Sequence, residues 1–361
     1  MYNLFLFCVI VSSTLLLNAC SNTARLNELA ALKPSIPPDI TELPGQLTLT
    51  EKYQFLEVTP AMERFISSLK LRSKSKQEQI DTLYRVMFYQ KGYIIDYEMF
   101  ETASAGETFE MKRGNCMSLT ALMVALGREL GMNARFQEAK SKPVWHSENG
   151  VFTQLSHVNT RMYRDKNLSI VVDFYDKSLY NKNHGELLSD DVAEAFYYNN
   201  LASEALIKEN YRQAYHYYYK ALDIAPNLSF VWSNLGALLS RNNLYPLAEQ
   251  SYLYAIELDP SKKNVLLNLR GLYIKTNRPQ LARSLDKTID RLYGDNPHYL
   301  KSIAEKALLV GDIATAVEYI HKANAILPGL IDPQKITLTK GDKKIEYEIT
   351  QNKLKEIYIK Q

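Results

Sequence analysis

The sequence predicts two kinds of structure in series: an α+β domain over about residues 59–188, then an all-α solenoid over 195–330. Two observations carry this. Between residues 59 and 131 apolar side chains recur at helical intervals, and three runs rich in β-branched and aromatic residues follow them. Helices followed by strands that return through short polar turns make an α+β domain. From Ala195 onward one residue pattern returns every 34 positions, which marks a repeat architecture.

At 361 residues the chain is too long for one core, and two or three domains are expected. A hydrophobic fraction of 46% with 23% charged residues is ordinary for a globular protein. The formal charge of +3 over that length supplies no basic patch, so a nucleic-acid partner is not expected.

The first 19 residues, MYNLFLFCVIVSSTLLLNA, carry no charged side chain. The run is short and interrupted for a membrane span but suits a signal h-region. Leu17-Asn18-Ala19-Cys20 resembles the lipobox of bacterial lipoproteins, although no Lys or Arg precedes it. The resemblance implies a signal peptide over 1–19, lipidation of Cys20 and a bacterial envelope location. Ser21 resembles the outer-membrane sorting pattern, with the protein facing the periplasm. On this reading Cys8 leaves with the signal and Cys20 carries lipid. Of three cysteines only Cys116 then keeps a free thiol, and an odd thiol in an oxidising compartment is buried or used.

Residues 20–58 read as a tether. LKPSIPPDITELPG is proline-rich, hence extended and semi-rigid, and QLTLTEKYQFLEV is read as holding a short strand. Thr59-Pro60 gives an N-cap and a proline at the first helical position, with Met62, Phe65, Ile66 and Leu69 on one face. Ile80, Leu83 and Met87 mark a second helix, stopped at Gly92. GYIIDYE reads as a short strand. Leu119, Leu122, Met123, Leu126 and Leu130 give the buried face of a helix from about 116 to 130, ended by Gly131. The strands are NARFQEA, FTQLSHVNTRMY and LSIVVDFY.

In the repeats the second unit is clearest: Trp232, Leu235, Gly236, Ala248, Tyr252, Ala255 and Pro260. One period back stand Tyr198, Leu201, Ala202, Ala214, Tyr218, Ala221 and Pro226. Two periods forward stand Leu300, Ile303, Ala304, Ala316, Ile320, Ala323 and Pro328. The unit between them keeps Leu266, Leu269 and Ala282 but has Gly294 in place of proline. Small residues let paired helices close up, large ones fill the gap, and proline turns the chain. The pattern resembles four tetratricopeptide repeats. The resemblance implies a concave face lined by the first helix of each unit, here Asn199, Ser203, Ser233, Ala237, Leu267, Gly271, Lys301 and Glu305. Its mixed character suits a protein or peptide partner held by packing and neutral hydrogen bonds. Beyond Pro328, residues 331–361 hold a hairpin around Gly341-Asp342 and a lysine-rich tail read as solvated surface.

Cys116 opens its helix, where unpaired N–H groups and the helix dipole favour a thiolate. Gly114 permits the sharp entry and Asn115 can cap. The same N–H groups suit an oxyanion. A cysteine nucleophile needs a base and an orienter. His216, His321 and His298 belong to the repeats, and His184 to a polar linker, which leaves His146 and His157. With a turn near Asp165-Lys166-Asn167, position 157 pairs near 174, one step from Asp173.

A Gly-x-Cys helix entry, Gly131 to Arg135 as Gly-x-x-Ala-Arg, His157-Val158 and Val172-Asp173 together resemble the transglutaminase-like superfamily of papain-like folds, over about 75–180. The resemblance implies a Cys116, His157 and Asp173 triad acting on amide or ester carbonyls. Phe174 stands where the family often has proline. Hydrolysis by a peptidase or amidase and transfer to an amine both stay open, and bacterial relatives favour hydrolysis. The other class is a non-catalytic envelope scaffold that recruits partners through the repeats. A papain-like peptidase of another clan has only the distant Gln90 for its glutamine. With no CxxC, HxxxH or acidic calcium loop, neither a metal nor a cofactor is expected.

Overall fold

The computed structural model describes residues 33–37, 39–48, 52–89, 95–139, 144–148, 151–155, 157–165, 168–174, 185–260, 264–332, 336–340, 343–350 and 353–360. The signal peptide, Cys20, Gly92, His184 and the Gly341-Asp342 turn fall outside them. Among the described residues no helix is long and apolar enough to cross a membrane.

The chain forms two compact units. One joins Met1–Thr48 to Leu201–Ala282, the other Leu49–Asn200 to Arg283–Gln361. The last helix pair belongs with the α+β domain.

In that second unit, helix α1 (Pro60–Ser68) is capped by Thr59, whose hydroxyl accepts the Met62 N–H. Helix α2 (Lys76–Phe88) starts in a Ser75–Glu78 capping box. Met62, Ile66, Ile80, Leu83 and Met87 are fully buried. Strand β1 (Asp96–Tyr97) pairs in parallel with β2 (Arg113–Gly114), and α3 (Ala105–Met111) lies between them. Helix α4 (Cys116–Glu129) is buried continuously from Met117 to Gly127, rather than along the single face expected. Its intervening positions are Ser118, Thr120, Ala121, Val124, Ala125 and Gly127, mostly small, so neighbours close in from every side. A helix buried all round is a central core element.

Strands β3 (Asn133–Glu138), β6 (Val158–Tyr163), β7 (Ser169–Val172) and β8 (Glu186–Leu188) form one antiparallel sheet in the order β7-β6-β3-β8. The run expected as one strand over 152–163 is split. Strand β5 (Val151–Leu155) pairs with β4 (Val144–Glu148) in a separate hairpin, and only β6 joins the sheet. The strand expected within 46–58 is absent among the described residues there. Phe55 instead stacks on Phe136, ring centres 5.6 Å apart, so side-chain packing rather than ladder pairing fixes this segment.

Among the described residues eight helices follow in sequence: α5 (Asp190–Ile207), α6 (Tyr211–Ile224), α7 (Ser229–Arg241), α8 (Tyr245–Leu258), α9 (Asn264–Lys275), α10 (Pro279–Tyr293), α11 (Pro297–Leu309) and α12 (Ile313–Ile326), with α7 packed on α8 and α11 on α12. Ala214, Ala248, Ala282 and Ala316 are buried at equivalent positions, as are Ala221, Ala255 and Ala323. Gly236 shows why small residues recur. A Cβ there would sit 2.7 Å from the Tyr252 ring, so any side chain would push α7 and α8 apart.

The proline-rich segment is not a free spacer where it is described. Ile40 and Leu43 are buried. Asp39 pairs with Arg212 at 2.7 Å, the Tyr215 hydroxyl donates to the Pro37 carbonyl, and Asn210 donates to the Gln46 carbonyl. Two apolar anchors and a set of backbone acceptors hold it along α6. At the other end, β9 (Ile336–Lys340), β10 (Lys343–Thr350) and β11 (Lys353–Lys360) make a meander with β10 central. Lys340 pairs with Lys343, as a two-residue loop requires, but the tail read as solvated surface is a third strand.

Candidate active site

Cys116 is the first residue of α4, and its entry is fixed on both sides. Asn115 caps the helix. Its Oδ1 accepts the Ser118 N–H at 3.1 Å, its Nδ2 donates to Thr102 Oγ1 at 2.6 Å, and its N–H donates to the Glu101 carbonyl at 3.0 Å. Ser118 Oγ accepts the Ala103 N–H at 2.9 Å. Gly114 makes the approach possible, since a Cβ there would lie 2.6 Å from the Ser118 Cβ. The Ser118 and Leu119 N–H groups are both taken by Asn115. Those of Cys116 and Met117 have no acceptor among the described residues, and the first N–H groups of any helix point out of its end.

His157 stands at the root of β6, where its carbonyl accepts the Ala139 N–H at 2.8 Å. Its Nε2 reaches both carboxylate oxygens of Asp173, each at 2.8 Å. The Cys116 side chain lies near enough to the ring to favour its charged form as well. The register pairs Thr160 with Val172, and so sets Asp173 opposite Asn159. His157, two residues before Asn159, is then a diagonal neighbour of Asp173 on the same face. The observed turn centre of 166, against the expected 165.5, is a one-residue change of register, and it is this change that brings Asp173 onto the face of His157. Asp173 is 2% exposed, and it receives a further hydrogen bond from Asn159 Nδ2 at 3.2 Å. A buried carboxylate needs such donors. Thr120 Oγ1 donates to the Val158 carbonyl at 3.3 Å, tying the helix that carries Cys116 to the strand that carries His157.

Burial opposes charge on the His157 ring, but the hydrogen bonds to Asp173 and the nearness of Cys116 outweigh it and raise its pKa to about 10. At neutral pH the ring is therefore an imidazolium held between a carboxylate and a sulfur.

Sequence reasoning missed Asn159 and Thr120. Asn159 was marked by the two-residue period of the strand. Thr120 had no local sign, because its partner lies in another element. Phe174, where the family pattern has proline, is buried and packs on Phe88 with ring centres 5.2 Å apart. His146 lies on β4. The described residues contain no cluster of His, Cys, Asp and Glu able to hold a metal.

A cavity of about 420 Å³ lies away from this site. It is lined by Arg128, Met132, Arg135 and Asp190, at the opposite end of α4 from Cys116. There Arg128 and Asp190 pair at 2.6 Å.

The eight residues of the expected groove divide by burial. Asn199, Ser233 and Glu305 are buried. Ser233 accepts from Asn268 at 3.3 Å, and Glu305 pairs with Lys301 at 3.6 Å. Ser203 shares a hydrogen bond with the Tyr218 hydroxyl. Ala237, Leu267 and Lys301 are half-buried, and Gly271 is exposed.

Residues 64–174 match the family model described as the transglutaminase-like superfamily, a stretch that contains all three site residues. No curated protein matches the chain. Among solved structures, PilF of Pseudomonas aeruginosa is 22% identical with a TM-score of 0.30, covering 37% of this chain and 60% of its own. MamA of Desulfovibrio magneticus RS-1 is 15% identical with a TM-score of 0.29, covering 39% and 77%. YrrB, described as a TPR protein with an unusual peptide-binding site, is 16% identical with a TM-score of 0.27, covering 38% and 88%. The repeat assignment itself stands on the 34-residue period and the successive helices.

Proposed function

We propose that this chain, a transglutaminase-like domain joined to tetratricopeptide repeats, is a lipid-anchored envelope protein that opens amide bonds through a cysteine thioester. The observation that carries the chemistry is the His157 ring, paired through Nε2 with both carboxylate oxygens of Asp173 at 2.8 Å and close enough to Cys116 for each to favour the charged imidazole. Together the three supply a nucleophile, a proton carrier and an orienter in the order acyl transfer needs.

In this reading the Cys116 sulfur attacks the carbonyl carbon. The developing oxyanion is met by the N–H groups of Cys116 and Met117 at the helix end. The C–N bond then breaks, and His157 gives its proton to the leaving amine. Asp173 keeps Nε2 oriented and stabilises the charged ring throughout. Water then attacks the thioester with His157 taking its proton, which releases acid and restores the thiol. An amine in place of water gives transamidation by the same steps. Hydrolysis is the favoured outcome, following the bacterial members that the sequence resembles.

The repeats are read as the part that selects a protein or peptide, and Cys20 as the anchor to the outer membrane on its periplasmic side. Labelling cells with a clickable fatty acid tests the anchor: the wild type is marked and Cys20→Ser is not, while equal labelling of both rejects it. For the chemistry, the protein is incubated with envelope extract, acid-quenched and analysed by peptide mass spectrometry. An acyl adduct on the peptide containing Cys116, absent from Cys116→Ala, is expected. An unmodified Cys116 in every extract rejects the enzymatic reading.

A further inference from the structure

The connection from β3 to β6 is long and emerges beside the thiol site. After Glu138 the chain leaves the sheet, forms the β4–β5 hairpin and returns at His157. The Ala139 N–H bonded to the His157 carbonyl at 2.8 Å pins the two ends together. Strand β5 ends at Leu155, two residues before the imidazole. A two-stranded hairpin alone is marginally stable and needs a surface to pack on. The backbone of both its strands lies against α11, the first helix of the fourth repeat, inside the same compact unit.

A second observation concerns equivalent positions in successive repeats. Ala237 is half-buried and Gly271 exposed, but Glu305, one period later, is only 7% exposed. Ala304 and Leu308 beside it are also buried. Leu330, Ile331 and Ile336 border the small space around Glu305 from the other side. The charge of Glu305 is met within α11 by Lys301, which leaves little for an external ionic ligand. In repeat four the face expected to take a partner is covered by this chain's own segments.

We propose that the fourth repeat is an internal docking site. Its first helix holds the β4–β5 hairpin in place beside His157, and foreign peptide is selected by the earlier repeats. The hairpin then forms a wall of the thiol site whose position depends on repeat four. The inference rests on the repeat reading, but not on Cys116 being reactive.

The test uses full-length protein and hydrogen exchange read by mass spectrometry. Residues 144–155 are replaced by a short Gly-Ser linker. Amides of α11 should exchange at least about tenfold faster than in the wild type, while those of α7 and α8 stay unchanged, as expected for local loss of protection. Unchanged exchange in α11 would overturn the proposal. A second measurement covers a variant that does not fold. In the wild type, a short lysine-reactive cross-linker should join Lys142, two residues before β4, to Lys301 or Lys306 on α11. Absence of that link in folded protein would equally overturn it. Neither readout involves the thiol, so an inert Cys116 would defeat the proposed chemistry and leave this inference standing.

Discussion

Cys116, His157 and Asp173 come from a helix end, a strand root and the next strand, and each is held by partners remote in sequence. Thr102 holds the cap beside Cys116, Ala139 holds the backbone of His157, and Asn159 shares the load on Asp173. The repeats are built the other way. Within the α7–α8 pair the helices close on each other at a glycine set against the Tyr252 ring, and contacts such as Asn268 to Ser233 lie about one period away. A site made of long-range contacts fails when any one is lost. A repeat array degrades by steps, because each unit contributes its own stability and that of its neighbouring interface.

The sharpest way to break this comparison is at Asp173. The pKa of His157 is raised above its unfolded value, so the stabilisation from its partners is fully present below about pH 6.5 and is lost as pH rises through about 10. In Asp173→Asn the ring should titrate back toward the ordinary imidazole range, read from the His157 ring signals by NMR. The melting temperature should also lose the alkaline slope seen in the wild type. A ring that titrates identically in both proteins would detach the carboxylate from the site.

Substitution in the repeats should cost less and act locally. Gly236→Leu forces a side chain into the Tyr252 ring and should destabilise the array by about 1–3 kcal/mol, with Cys116 alkylation unaffected. Thermal melting and peptide-resolved alkylation on the same sample check both halves. Thr120→Val removes one hydrogen bond between α4 and β6 at nearly constant volume. It should cost about 1 kcal/mol and slow alkylation of Cys116 more than its stability loss explains. An unchanged alkylation rate would make Thr120 structural only. The smallest effect expected is that of salt on partner capture. Few charges face outward at the accessible groove positions, so capture from extract should change little between low and high ionic strength. Leu267→Arg should abolish it.

The same contrast explains what could be read from sequence. The repeats were legible because their constraints are local and recur: Ala214, Ala248, Ala282 and Ala316 announce each other. Cys116, His157 and Asp173 could be picked out by residue order and by their place on a helix end and two adjacent strands, but not by register, since the expected pairing of 157 with 174 put Asp173 on the other face. Helix α3 was missed although Ser104 and Glu107 form a capping box; its brief apolar pattern, interrupted by Gly106, gave no period to follow. The β4–β5 hairpin was missed because His157 continues the alternation of Phe152–Leu155, and only pairing partners divide the two strands. Docking of the proline-rich segment on α6 depends on Ile40 and Leu43 meeting a surface far along the chain, which composition does not reveal.

The central claim is that His157 activates Cys116, and alkylation of the folded protein tests it most directly. The rate of iodoacetamide modification at Cys116, followed by peptide mass spectrometry at pH 7, should fall by about a hundredfold in His157→Gln, within the range of a positioned acid or base. Equal rates in the two proteins, both at the rate of a simple thiol, would contradict the account.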